Sequence, residues 1–210
     1  MSIRKMLMFS LLLIVLAACS KNDVHEKIIE QLEAAYEAEQ SFVASQEQLL
    51  HLEERDIEIY NEIIELDDVS EKRLNELTNE ALEIVEKRKE FLEEERKSIH
   101  ESKEHFQKVE TLLEEIEDET EKSNLEKLYE TMMERYESYE YVYDTYIESL
   151  YLTESLYEHL QQEATYTVLH DTLNKVNESY EKLFKANDQF NRLTKQYNHL
   201  KAEYYEMSME

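Results

Sequence analysis

No glycine and no proline occur anywhere in the 210 residues, where average usage would supply about 7% and 5%. Glycine is the usual residue for left-handed backbone and tight turns, and proline the usual helix breaker. A chain that lacks both, and is rich in Glu, Lys, Leu, Gln and Tyr, has the composition of a few long helices joined by short polar corners. The expected fold class is all-α, an elongated antiparallel bundle of four long helices with coiled-coil-like packing.

The N-terminus has a different character. A short basic start, "MSIRK", leads into the apolar run "MLMFSLLLIVL", too short for a comfortable membrane span, and then into "LAAC" at Leu16 to Cys19. This resembles the lipobox of bacterial lipoproteins, in which the cysteine becomes the lipid-modified mature N-terminus. The chain therefore divides into a signal peptide over 1–18, a lipidated tether over 19–23 and a helical-bundle domain over 24–210. Cys19 is the one cysteine of the chain, so the mature protein has no disulfide framework, thiolate metal site or cysteine nucleophile. Its expected role is acyl attachment, palmitate included. Two or more chains, at about 0.8 kcal/mol per buried methylene, would hold the protein on the outer face of the membrane.

The chain carries 50 acidic and 23 basic residues, a net charge of −27, and loss of Arg4 and Lys5 with the signal would make it −29. So acidic a body is repelled by phosphate, which argues against nucleic acid or an anionic lipid surface as partner.

Helix boundaries must be read from lost periodicity and capping residues. Corners near 65–72, 117–126 and 161–172 divide the mature chain into helices of about 24–66, 69–117, 123–163 and 167–207. Ser123 with Glu126 fits a capping box, and Asp68 with Glu71 an acidic variant of one. A three-helix bundle, or a long hairpin that dimerises, is the alternative. Broad apolar stripes support packing against more than one neighbour, as with Leu74, Leu77, Ala81, Ile84 and Phe91 beside Val85, Leu92, Ile99 and Phe106.

The third helix is unusually aromatic, with seven tyrosines between residues 136 and 157. Leu125, Tyr129, Met132, Tyr136, Tyr139, Tyr143, Tyr146, Leu150, Thr153, Tyr157 and Leu160 follow a four-three spacing and form one seam. Tyr141 and Tyr151 fall outside it and are candidate exposed ligand contacts. Antiparallel pairing sets the seam beside Ser98, Ser102, Ala34, Ala35, Ala38, Asn187 and Asn191, small or amide-bearing residues suited to bulky phenols. The same counting places Arg88 near Glu47 and Glu178, and Glu95 near Lys185.

No catalytic constellation stands out. A di-iron bundle needs Glu-x-x-His on two helices, and none of the seven histidines has glutamate three residues before it. His100 with Glu104 and His159 with Glu163 read as surface pairs. No metal site, cofactor or enzymatic activity is expected.

The segments "ERKSIHESKEHFQKV", "LYETMMERYESYEYVY" and "VNESYEKLFKANDQFNRLTKQYNHLK", in that order after a lipobox, resemble the YkyA-like family of lipoproteins named for cell-wall binding in Gram-positive bacteria. The resemblance covers nearly the whole mature chain. It implies a lipid-anchored, non-enzymatic protein outside the cytoplasm that binds cell-wall polymer or an envelope partner through a helix face, and of the residues only Cys19 acquires a defined role. Teichoic acids are polyanions, so direct electrostatic binding by a body of this charge would need a bridging cation. The alternative is a scaffold lipoprotein that self-associates or binds a membrane protein without touching glycan.

Overall fold

The computed structural model describes residues 24–65 and 71–208. The expected signal peptide and tether, with Cys19, and Asp68 of the second expected cap lie outside the described residues. Helix α1 spans 24–38, α2 Gln40–Ile64, α3 Glu71–Phe106, α4 Val109–Leu113, α5 Glu119–Gln161 and α6 Tyr166–Ser208. They form four long rods packed as a bundle, α1 running on into α2 and α3 into α4. Helix α2 packs on α3, α3 on α5, and α5 on α6. At 1.5 Å per residue, the 43-residue α5 and α6 are each about 65 Å long.

The first rod breaks at Glu39 without glycine or proline, and the cause is a side chain from another helix. In an unbroken helix Phe42 N–H would donate to the Ala38 carbonyl. Instead it donates to Ser98 Oγ at 3.1 Å, and Ser98 Oγ donates onward to Ala38 O at 2.6 Å. An inserted hydroxyl of this kind is a recognised source of helix kinks. Glu39, at the break, receives Arg135 Nη1 and Nη2 at 2.7 and 2.8 Å and the Ser102 hydroxyl at 3.0 Å.

Two corners differ from the expected chemistry. Helix α5 starts at Glu119, with Asp118 as its cap, accepting from Thr120 N–H at 3.0 Å and Glu121 N–H at 2.9 Å. Ser123, the expected cap, lies within the first turns. At the other end Glu163 takes φ 50°, Ala164 N–H reaches His159 O at 3.0 Å and Glu163 N–H reaches Leu160 O at 3.3 Å. This is the paired 6→1 and 5→2 bonding of a Schellman ending, with glutamate where glycine is usual.

The tyrosine seam is the centre of the bundle. Tyr136, Tyr139, Tyr143, Tyr146 and Tyr157 are all buried, each at most 6% exposed. Tyr136 shares a 2.7 Å hydrogen bond with Ser102, and Tyr139 packs edge-on against Phe42 and Phe190. Ser102 therefore serves a phenol as expected, while Ser98 serves the backbone of the first rod.

Candidate functional site

Buried apolar side chains form two clusters, a long one reaching from Val24 and Tyr204 to Leu150 and a short one around Ile59, Leu77, Ala81, Ile84 and Tyr157. Arg88, 1% exposed, lies at their boundary. Its guanidinium donates to Asp56 Oδ2 at 3.0 Å, to Tyr146 Oη at 2.9 Å, to Tyr180 Oη at 3.1 Å and, at a longer 3.5 Å, to Glu53 Oε1. Tyr157 donates to the other oxygen of Asp56 at 2.7 Å, and Tyr146 donates to Glu53. One cation thus meets two carboxylates and two phenols from the three other rods, with Tyr157 held behind Asp56. Burial raises the Asp56 pKa above its usual value, against the pull of the Tyr157 hydrogen bond and the Arg88 charge.

This differs from the expected pairing of Arg88 with Glu47 and Glu178. Both of those residues are exposed, whereas Asp56 occupies a buried position of α2 two sevens after Phe42 and one after Leu49. Level along the bundle was the wrong criterion on its own; the facing side of the helix decides. Glu95 likewise finds no Lys185, which is exposed. It is buried, one oxygen accepts from Tyr139 at 3.3 Å, and the other has no hydrogen-bond partner.

Above the Arg88 layer the bundle is open. A groove of about 550 Å³ lies between α2 and α6, floored by Arg88, Thr153 and Tyr157, with walls of Leu173, Val176 and Leu183 and with Asn177 and Asn187 as amide groups. Ile57 and Phe184 line it too and remain 61% and 75% exposed. Sites that bind small or extended ligands commonly combine apolar walls with a few placed polar groups in this way. Ile57 and Phe184 were not singled out from the sequence. The usable signal was Ile57's place in a heptad series, Tyr36, Val43, Leu50, Ile57 and Ile64, that duplicates no buried position.

Tyr141 and Tyr151 stand 57% and 56% exposed on α5, turned away from the groove by the helical spacing to Thr153 and Tyr157. Lys89 Nζ sits 4.5 Å over the Tyr151 ring, a cation–π contact that covers one face. The structure does not bring the two tyrosines together with the groove. The histidine pairs are also redistributed: His100 meets Glu140 at 2.7 Å and His159 meets Thr172 at 3.2 Å, each a residue of another turn or rod rather than the neighbour four positions on. Among the described residues no group of three or more His, Cys, Asp or Glu side chains converges as metal ligands, and no helix is long and apolar enough to cross a membrane.

Comparison with known proteins agrees with this architecture. A crystal structure of a conserved protein of unknown function from Staphylococcus aureus superposes with a TM-score of 0.57 at 13% identity, covering 84% of this chain and 88% of that one; at that identity it speaks for the fold. The uncharacterized lipoprotein YkyA of Bacillus subtilis (strain 168) is 32% identical over 199 residues, which is 94% of this chain and 89% of the relative. Residues 23–207 match the YkyA family, described as "Putative cell-wall binding lipoprotein". On a match spanning every described helix, the chain belongs to the YkyA family of lipoproteins.

Proposed function

We propose that the protein is a non-enzymatic binding module, lipid-anchored through Cys19 on the outer face of the cytoplasmic membrane, that holds cell-wall material or an envelope partner in the groove between α2 and α6. The observation that carries this reading is the groove itself, where Ile57 and Phe184 keep large apolar surface in solvent beside a buried polar floor. Exposed apolar surface gathered around a concavity marks binding sites more often than isolated exposed residues do. The family's lipoprotein description supports the envelope location, and the "LAAC" sequence supports Cys19 as the attachment point. Tyr141 and Tyr151 are proposed as secondary contacts on another face.

The converging groups are hydrogen-bonded to one another around Arg88, a structural rather than a reactive arrangement, which supports a non-enzymatic role. A polyanionic wall polymer would reach this acidic surface through a divalent cation. The test is co-sedimentation of the full-length protein with isolated wall sacculi, with and without magnesium. Retention that falls with Ile57→Asp supports the reading; no retention in either buffer rejects wall material as the ligand. Anchoring is tested separately by Cys19→Ser, which should release the protein from membranes.

A further inference from the structure

Tyr36, Val43, Leu50, Ile57 and Ile64 recur at intervals of seven along α1 and α2, and all five are 54–62% exposed. They are additional to the buried face of the same rod, which carries Phe42, Leu49 and Asp56 one position earlier in each heptad. Of the five, Ile57 lines the groove between α2 and α6, and near the N-terminal end of the stripe Lys201 of α6 sits 5.2 Å over the Tyr36 ring. A seven-residue apolar repeat is the pattern one helix presents to another, because it keeps the same side chains facing a partner turn after turn. Across the groove Phe184 supplies a second apolar lip.

Charge selects among the possible occupants. Glu37, Glu47, Glu54 and Glu58 stand exposed around the stripe, and α2 as a whole has six carboxylates against one arginine. That arginine, Arg55, is engaged by Glu58, Glu62 and Glu80. A second copy would bring the same carboxylates against themselves, at a cost in both affinity and association rate. An extended polyanion meets the same repulsion. A helix with apolar residues at heptad spacing and Lys or Arg on its flanks fits both the stripe and the charge.

Resting on the reading of the groove as the binding face, we infer that its occupant is a basic amphipathic helix of a partner protein, laid along the α2–α6 opening as a fifth helix. Val43, Leu50 and Ile57 contact its apolar seam, Phe184 closes on it from α6, and the α2 carboxylates pair with its cations.

The test uses the full-length protein in phosphatidylcholine nanodiscs and a fluorescent 21-residue peptide with Leu at heptad a and d positions and Lys elsewhere, against a scrambled peptide of identical composition and against empty discs. The ordered peptide should bind at least tenfold more tightly than the scramble, and Leu50→Asp with Ile57→Asp should weaken it at least tenfold while helicity by circular dichroism is unchanged. Glu137→Ala, at an exposed position of α5 outside the groove lining, should leave binding within twofold. Equal binding of ordered and scrambled peptides, or binding indifferent to the double variant, overturns the inference. A protein dimer abolished by the same double variant overturns it in favour of a second copy. Wild-type protein that fails to bind the ordered peptide, while groove variants still lose sacculus retention, would sink the helix partner and leave the groove as a binding face.

Discussion

The hydroxyl of Ser98, on α3, occupies the gap between the Phe42 amide and the Ala38 carbonyl of the first rod, accepting from one at 3.1 Å and donating to the other at 2.6 Å. Removing it strands two backbone groups or forces the rod to straighten against its packing. Ser98→Ala should therefore lower stability by about 1–3 kcal/mol, the usual cost of leaving a buried polar group without its partner. Urea denaturation measures the loss, and amide exchange should localise it to Phe42. An unchanged midpoint would mean the ladder closes directly once the hydroxyl is gone.

Glu95 predicts a pH dependence. Burial in the first place, with help from the Glu53 charge and against the Tyr139 hydrogen bond, pushes its carboxyl up to about 8. An acid whose folded pKa lies above its unfolded one binds the proton more strongly when folded. Its contribution is thus complete below the unfolded value of 4.5 and is lost as pH rises through about 8. The wild-type melting temperature should fall between pH 5 and pH 8.5, and Glu95→Gln should remove part of that fall by supplying a permanently neutral side chain. Parallel profiles for the two proteins would refute the assignment.

The Arg88 layer should behave as a mutually dependent unit. Arg88→Ala leaves Asp56 buried without its cation and should cost about 3–5 kcal/mol, whereas Arg88→Met combined with Asp56→Leu should recover most of that loss. A double variant as unstable as the single one would show that Tyr146, Tyr157 and Tyr180, rather than the charge pair, carry the energetics.

Glu163 holds a left-handed backbone that costs an L-residue with a side chain about 1–2 kcal/mol. Glu163→Gly should stabilise the protein by about 0.5–1 kcal/mol, once glycine's greater freedom in the unfolded chain is allowed for. Thermal unfolding decides the sign.

The helices and the tyrosine seam could be read from spacing because both depend on local periodicity, and the buried phenols from Tyr136 to Tyr157 show how well a four-three pattern reports the inward face. The break at Glu39 could not, since it depends on a hydroxyl 60 residues from Ala38. Residue counting across corners brought Ser102 to Tyr136 but set Arg88 beside Glu47, because counting fixes level and says nothing of which side of a helix faces in. The cap moved from Ser123 to Asp118 because several polar residues precede α5 and any of them can cap. The groove residues were legible in part: the heptad of Tyr36 to Ile64 stands in the sequence, but only packing shows that a second heptad, one residue earlier, already fills the core.

The opening between α2 and α6 is the proposed binding face. The most direct measurement of this is retention of the full-length protein on isolated, lipid-depleted envelopes that keep their wall and protein, comparing wild type with Ile57→Asp/Phe184→Asp and with Tyr141→Ala/Tyr151→Ala. Retention should fall at least fivefold for the groove pair, with magnesium present throughout, and less for the tyrosine pair. Wild-type retention by a folded groove variant would contradict that assignment.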